Sequence, residues 1–297
     1  MKMNRRWFFS LFLLLALVPL ARAQEEQVHV KDVIYQKKMG VALTMDVFKP
    51  AKPNGIGVIW MVSGGWVSNH AGINPKQAEI FTKRGQTVFQ VVHGSQPKFI
   101  LPEIIQDIHR AVRFIRSNAS QFGVDPNRLG IAGGSAGGHL SLMMGAFGGP
   151  GDSNARDPID RASSAVQAVA VFFPPTDLLN YGKEGQTAID FPLLRPFWPA
   201  FGVTDATPAD KRLELGKSFS PIYGVTANMP PTLLIHGDAD ALVPLQQSER
   251  IAAKLKEMSV VHKLDVRAGK GHGWPGMEQD AELLADWFGQ HLGKPAN

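Results

Sequence analysis

A serine set among glycines, two aspartates in one short loop and a histidine near the C-terminus are the residues of this sequence best suited to act together. Gly133-Gly-Ser-Ala-Gly137 fits Gly-x-Ser-x-Gly, the strand-to-helix turn that strains a serine and lifts its hydroxyl above a sheet. Five glycines fall between Gly130 and Gly138. Each weakens a strand or helix by roughly 0.5–1 kcal/mol relative to alanine, so close backbone approach must be needed there. An apolar strand-like run precedes the turn, and Leu140, Met143, Met144 and Phe147 follow at helical spacing, the setting this motif requires. A phosphate-binding loop is excluded, because His139 stands where lysine would be needed.

A serine hydroxyl is a poor nucleophile until a base takes its proton and an acid holds that base in the right tautomer. In the chain order Ser, Asp or Glu, His, the acid falls in Leu233-Leu-Ile-His-Gly-Asp-Ala-Asp-Ala-Leu-Val-Pro244, a strand running into a loop. Asp240 is the first choice; Asp238, nearer the strand end, is the local rival and suits an Asx-turn. Asp177, in Phe172-Phe-Pro-Pro-Thr-Asp177, reads rather as a cap on the segment after it. The base is expected after the last strand, where His272 sits in Gly269-Lys-Gly-His-Gly-Trp274. His139 and His109 fall on helices and read as packing or surface residues, His236 ends a strand, and His93 stays unassigned. Donors for a developing oxyanion are expected from backbone N–H groups: that of Ala136, next to the nucleophile, and those of Gly64 and Gly65 in Val62-Ser-Gly-Gly-Trp66.

These residues need a frame to hold them. Strands are expected at Val28 to Tyr35, Val41 to Phe48, Ile56 to Val62, Thr87 to Val92, Arg128 to Gly133, Val166 to Phe173, Thr232 to His236 and Val261 to Val266. The first two read as an antiparallel start, and the later ones as short apolar runs covered on both faces. Helices fit between them: one after Asn74-Pro75, one from Pro102 to about Ser117, one from Pro244 to about Glu257, and one from Met277 to His291. The pattern predicts a three-layer α/β fold with a mostly parallel eight-stranded sheet. Residues 176–231 break the alternation with proline and aromatics, and read as a cap-like insertion over the functional edge. There Phe191, Phe197, Trp198 and Phe201, together with Trp66, are candidate substrate-pocket residues; the alternative is that they pack the insertion onto the domain.

Composition narrows the classes further. Lys2, Arg5 and Arg6 precede an apolar run from Trp7 to Leu20, and Ala21-Arg-Ala23 supplies a small-x-small cleavage pattern. Residues 1–23 therefore read as a secretory signal, Sec-type by default, with a twin-arginine pair as the variant. The run is shorter than the ~20 residues of a spanning helix, so export to the periplasm or the medium without a stable membrane anchor is expected. Four of the 31 basic residues and none of the 26 acidic ones lie in that segment, leaving the mature chain at +1. No nucleic-acid surface is suggested. The sequence has no cysteine, which removes thiolate nucleophiles, thiolate metal sites and disulfides together.

Asp125-Pro-Asn-Arg-Leu-Gly-Ile-Ala-Gly-Gly-Ser-Ala-Gly-Gly-His-Leu140 and His236-Gly-Asp-Ala-Asp-Ala-Leu-Val-Pro244 are similar to the nucleophile segment and acid loop of α/β-hydrolases of the bacterial carboxylesterase/lipase group. The resemblance covers nearly all of the mature chain. It implies Ser135 as nucleophile, Asp240 as acid, His272 as base and the amides of Gly64, Gly65 and Ala136 as oxyanion donors, with neither cofactor nor metal. It further implies small-molecule or carbohydrate esters of short or aromatic acids as substrates. Val62-Ser63-Gly64-Gly65-Trp66 departs from the group's His-Gly-Gly-Gly-Trp, so the anchor of that loop is open. Gly134, where hormone-sensitive-lipase-like members carry aspartate, points to the feruloyl- and acetyl-esterase-like branch. A serine peptidase of the prolyl-oligopeptidase type would need a propeller domain for which the chain has no residues, and a catalytically silent binding protein would have no use for Ser135, Asp240 and His272.

Overall fold

Residues 27–293 are described by a computed structural model; the signal segment expected at residues 1–23 lies outside them. The strands are β1 (Val28–Lys38), β2 (Val41–Lys49), β3 (Gly55–Val62), β4 (Thr87–Val92), β5 (Val124–Gly134), β6 (Ala168–Phe172), β7 (Thr232–Gly237) and β8 (His262–Arg267). They form one sheet in the order β1-β2-β4-β3-β5-β6-β7-β8. β1 pairs with β2, and β2 with β4, antiparallel, while every pairing from β4 across to β8 is parallel. Helices α1 (Pro75–Thr82) and α7 (Met277–Leu292) cover one face, and α2 (Leu101–Ser117), α3 (Ala136–Phe147) and α6 (Gln246–Glu257) the other. This is the expected α/β-hydrolase architecture.

Two apolar cores result. Ile104, Ile108 and Val112 of α2, Leu140 of α3, and Ile251 and Leu255 of α6 pack on Ile59, Ile131 and Val171. On the reverse face, Phe81 of α1 and Leu284 and Phe288 of α7 meet Val58, Ala132 and Ile235. The 3.6-residue spacing of α2's apolar positions buries one stripe. Asn74 accepts a hydrogen bond from the Gln77 N–H and caps α1, with Pro75 in its first turn.

Two expectations need adjusting. β5 begins at Val124, four residues earlier than read, because Asp125 and Asn127 form a side-chain turn inside it and the chain then shifts register against β3 between Gly55 and Gly57. β8 is not covered on both faces: it is the sheet's edge, half-exposed, carrying the linked charges Lys263, Asp265 and Arg267, as an edge protected from further pairing requires. Residues 176–231 contain two short helices, α4 (Trp198–Phe201) and α5 (Ala209–Ser218), on the α2/α3 side of the sheet.

Candidate active site

Ser135 stands between β5 and α3, at the helix's N-cap position, with φ 54° and ψ −122°, a backbone that side-chain-bearing residues hold only when the surroundings force it. Glycines make the turn possible: a Cβ on Gly133 would lie 2.6 Å from the Gly137 carbonyl carbon, and one on Gly137 2.8 Å from the Met61 carbonyl oxygen. The Ser135 N–H reaches the Phe172 carbonyl of β6 at 3.0 Å, fixing the turn to the sheet. His272, beyond β8, approaches Ser135 Oγ with Nε2 at 2.9 Å. Its Nδ1 lies 2.7 Å from Asp240 Oδ2, in the loop after β7. The Phe173 ring, 4.5 Å from that of His272, walls one side.

Asp240 is fully buried at its side chain, and His272 is only 22% exposed. Burial pushes the Asp240 carboxyl up, yet contacts from His236 and His272 and the Val243 N–H outweigh it and hold the group well below the usual carboxylate range. Its other oxygen accepts from the Leu242 and Val243 N–H groups, both at 2.9 Å. A fixed anion against Nδ1 selects the tautomer in which Nε2 is free to take a proton. Asp238 is exposed and accepts from the Gly269 N–H at 2.6 Å, tying the His272 loop to β7. Asp177 caps the following turn and pairs with Arg250. His236 is buried between Ser248 Oγ and the Val243 carbonyl.

The loop after β3 corrects one expected donor. Gly64 and Val67 exchange two backbone hydrogen bonds at 3.0 Å, so the Gly64 N–H is already committed. Gly65 (φ 55°) and Trp66 (φ 58°) between them give the two positive φ angles of a type I′ turn. Gly65 and Ala136 line the same cavity as Ser135. Gln96 takes up the anchoring that the absent histidine left open: its side chain donates to the Gly65 carbonyl at 2.7 Å and its N–H to the Trp66 carbonyl at 3.3 Å.

These groups open on a cavity of about 710 Å³. Its lining includes the apolar Phe173, Pro175, Leu194, Phe197, Leu242 and Val243 and the polar Ser63, Asn69, Asn74 and Gln77. Of the aromatic residues proposed from sequence, Trp66 and Phe197 line it, whereas Phe191, Trp198 and Phe201 do not. Phe201 is buried 4.9 Å from Trp66, Phe191 lies 5.1 Å from Tyr181 with the rings tilted at 58°, and Trp198 donates to the Ile189 carbonyl with Arg195 and Arg212 over its ring. An aromatic run on short helical turns cannot aim every ring the same way. Leu194, Leu242 and the polar lining residues were missed because they come from separate segments of the chain and share no local pattern. Among the described residues no group of three or more His, Asp or Glu side chains is arranged to hold a metal ion.

The BD-FAE family model matches residues 45–255. Among curated proteins, the chain is 26% identical over 245 residues to the probable carboxylic ester hydrolase LipM and 29% over 255 residues to the esterase LipC, both of Mycobacterium tuberculosis. Those alignments cover 81% and 83% of this chain but only 54% and 60% of the relatives, so the chain spans little more than half their length. Among solved structures, a truncated carbohydrate esterase from gut microbiota superposes with a TM-score of 0.77 at 25% identity, over 92% of this chain and 99% of that one. The native form of an esterase from the Planctomycetes species Thermogutta terrifontis gives 0.70 at 26% identity, over 92% and 94%.

Proposed function

Because the chain belongs to the BD-FAE family, we propose that it is a serine carboxylic-ester hydrolase acting through an acyl-enzyme on Ser135. The observation that carries this reading is the continuous relay Asp240–His272–Ser135, at 2.7 and 2.9 Å, opening into the cavity. His272 Nε2 takes the Ser135 proton as Oγ attacks the ester carbonyl, and the carbonyl oxygen becomes an oxyanion held by the Gly65 and Ala136 N–H groups. Collapse expels the alcohol, which receives the proton from His272. Water then repeats the cycle on the acyl-enzyme, releasing the acid and restoring Ser135. One oxyanion donor is worth roughly 3–4 kcal/mol in the transition state.

The mixed lining of the cavity supports a division of the substrate. A short or aromatic acyl group fits against Phe173, Leu194, Phe197 and Leu242, and a hydroxyl-rich alcohol, a carbohydrate, suits Ser63, Asn69, Asn74 and Gln77. The carbohydrate esterase among the similar structures is consistent with that alcohol. The basic start, apolar run and Ala21-Arg-Ala23 of the N-terminal segment support export to the periplasm or the medium.

An ester panel from acetyl through octanoyl to feruloyl, with acetylated sugars and a peptide amide, tests the reading. Turnover of acetylated sugars and short or feruloyl esters is expected, and cleavage of the amide alone would overturn it. Ser135→Ala should cut turnover by on the order of 10⁶ and abolish labelling by a fluorophosphonate, with the fold retained; more than a tenth of the activity remaining would remove Ser135 from the role.

A further inference from the structure

The two free donors of the oxyanion site belong to different elements, Gly65 to the loop after β3 and Ala136 to the start of α3. A hydrogen-bond donor stabilises a developing oxyanion only if it is already aimed when the charge appears. Something must therefore set the loop against the helix. The loop is under tension of its own, since Trp66 at φ 58° occupies a region that costs a side-chain-bearing residue on the order of 1–3 kcal/mol and survives only where the surroundings over-determine it.

Gln96 holds the loop to the segment after β4, and the Gly64–Val67 pair closes the turn on itself. Neither reaches α3. One bond does: Trp66 Nε1 lies 3.2 Å from His139 Nδ1, both residues buried, with the rings edge to face at 84°. Indole nitrogen can only donate, so His139 Nδ1 must accept. The proton is then on Nε2, which donates to the Phe219 carbonyl at 2.7 Å. His139 lies in the first turn of α3, and its own N–H returns to the Ser135 carbonyl at 2.9 Å. A single neutral imidazole thus joins the oxyanion loop, the helix that begins at the nucleophile and the insertion at Phe219.

We propose that His139 is a positioning residue for catalysis, holding Trp66 so that the Gly65 N–H converges with that of Ala136 on the oxyanion. This role rests on the chain being a serine esterase. Burial pushes His139 down to about 4 against the opposing Phe219 hydrogen bond, so the accepting form is the one present near neutrality. The histidine holds the turn from the α3 side, as Gln96 holds it from the segment after β4.

His139→Phe keeps an aromatic ring and removes both hydrogen bonds; Trp66→Phe removes the same indole bond from the other partner; His139→Asn places an acceptor where Nδ1 was. The wild type is first checked for ester turnover and fluorophosphonate labelling, and their absence would sink the esterase reading itself. His139→Phe and Trp66→Phe should each lower kcat by about 10- to 100-fold, as a displacement of roughly 1 Å at a donor does, with KM within about threefold. Inhibition by a trifluoromethyl ketone, whose adduct is an oxyanion, should weaken by the same factor. His139→Asn should recover most of the loss, and the double variant should be no worse than either single one. Wild-type-like kcat in Trp66→Phe, multiplicative losses in the double variant, or unchanged ketone affinity with lowered thermal stability would overturn the positioning role. Should His139→Phe not fold, Trp66→Phe and His139→Asn decide it by the same criteria.

Discussion

The walls of the cavity are built on two different principles. On one side, Ser135, Asp240 and His272 stand just beyond the C-terminal ends of β5, β7 and β8, where parallel pairing fixes the backbone. On the other, residues 176–231 hold short helices by aromatic packing, and only Leu194 and Phe197 of that segment reach the cavity. Strand ends tied by ladder hydrogen bonds can hold three side chains within tenths of an ångström, which proton transfer needs. Packed rings resist collapse but set only a shape. The first wall is suited to chemistry and the second to substrate size.

The largest effect should come from the first wall. Asp240→Asn should keep the geometry but favour the wrong imidazole tautomer and lower kcat by roughly 10⁴. Asp238→Asn, only two residues away, should weaken the tie to the Gly269 N–H and lower thermal stability while kcat stays within a few-fold. Steady-state kinetics and melting curves on the two variants make the comparison, and reversed effects would move the acid's role to Asp238.

The second wall should respond in a graded way. Phe197 lies against Gly65, where a Cβ would come within 2.4 Å of its ring, and lines the cavity. Phe197→Ala should shift the acyl-length optimum upward, by about 1–3 kcal/mol in relative kcat/KM, or roughly 10- to 200-fold. Trp198→Ala, which removes a ring held by Ile189, Arg195 and Arg212, should lower the melting temperature with an unchanged chain-length profile. A shifted profile in Trp198→Ala would give the whole aromatic run a substrate role and erase the distinction between ring packing and pocket lining.

The smallest effect lies outside both walls. Burial pushes His93, His109 and His139 from 6.5 down to about 4. Between those values the unfolded chain binds protons that the folded one does not, so stability is fully present above about pH 6.5 and is lost as pH falls toward 4. His109, hydrogen-bonded to Ser164 rather than to any cavity residue, provides the control. His109→Gln should flatten the fall in melting temperature across that window without changing kcat at neutral pH; an equally steep fall would assign the loss to other groups.

The elbow was legible because its constraints are local. A buried strand, a Gly-x-Ser-x-Gly turn and a helical apolar stripe succeed one another within a few residues of Ser135. The acid loop and the glycine-rich loop of His272 were legible for the same reason, each directly following a strand whose end had to lie at the same sheet edge. The oxyanion loop was only half legible. Its glycines could be read, but the commitment of the Gly64 N–H to Val67 comes from a turn type that no residue in Val62-Ser-Gly-Gly-Trp66 specifies alone.

His139 shows the boundary. In sequence it is one more helical histidine, buried by its neighbours' hydrophobicity, and nothing within five residues gives its ring a partner. Its bonds run to Trp66 and Phe219, 73 and 80 positions away, and only the packed fold brings those together. Periodicity and turn chemistry act over the few residues that share a backbone segment, so the sequence alone determined the sheet, the elbow and the order of Ser135, Asp240 and His272. Which rings face the cavity, which amide is free and what holds it there depend on the packing of loops far apart in the chain, and these the tertiary structure alone decided.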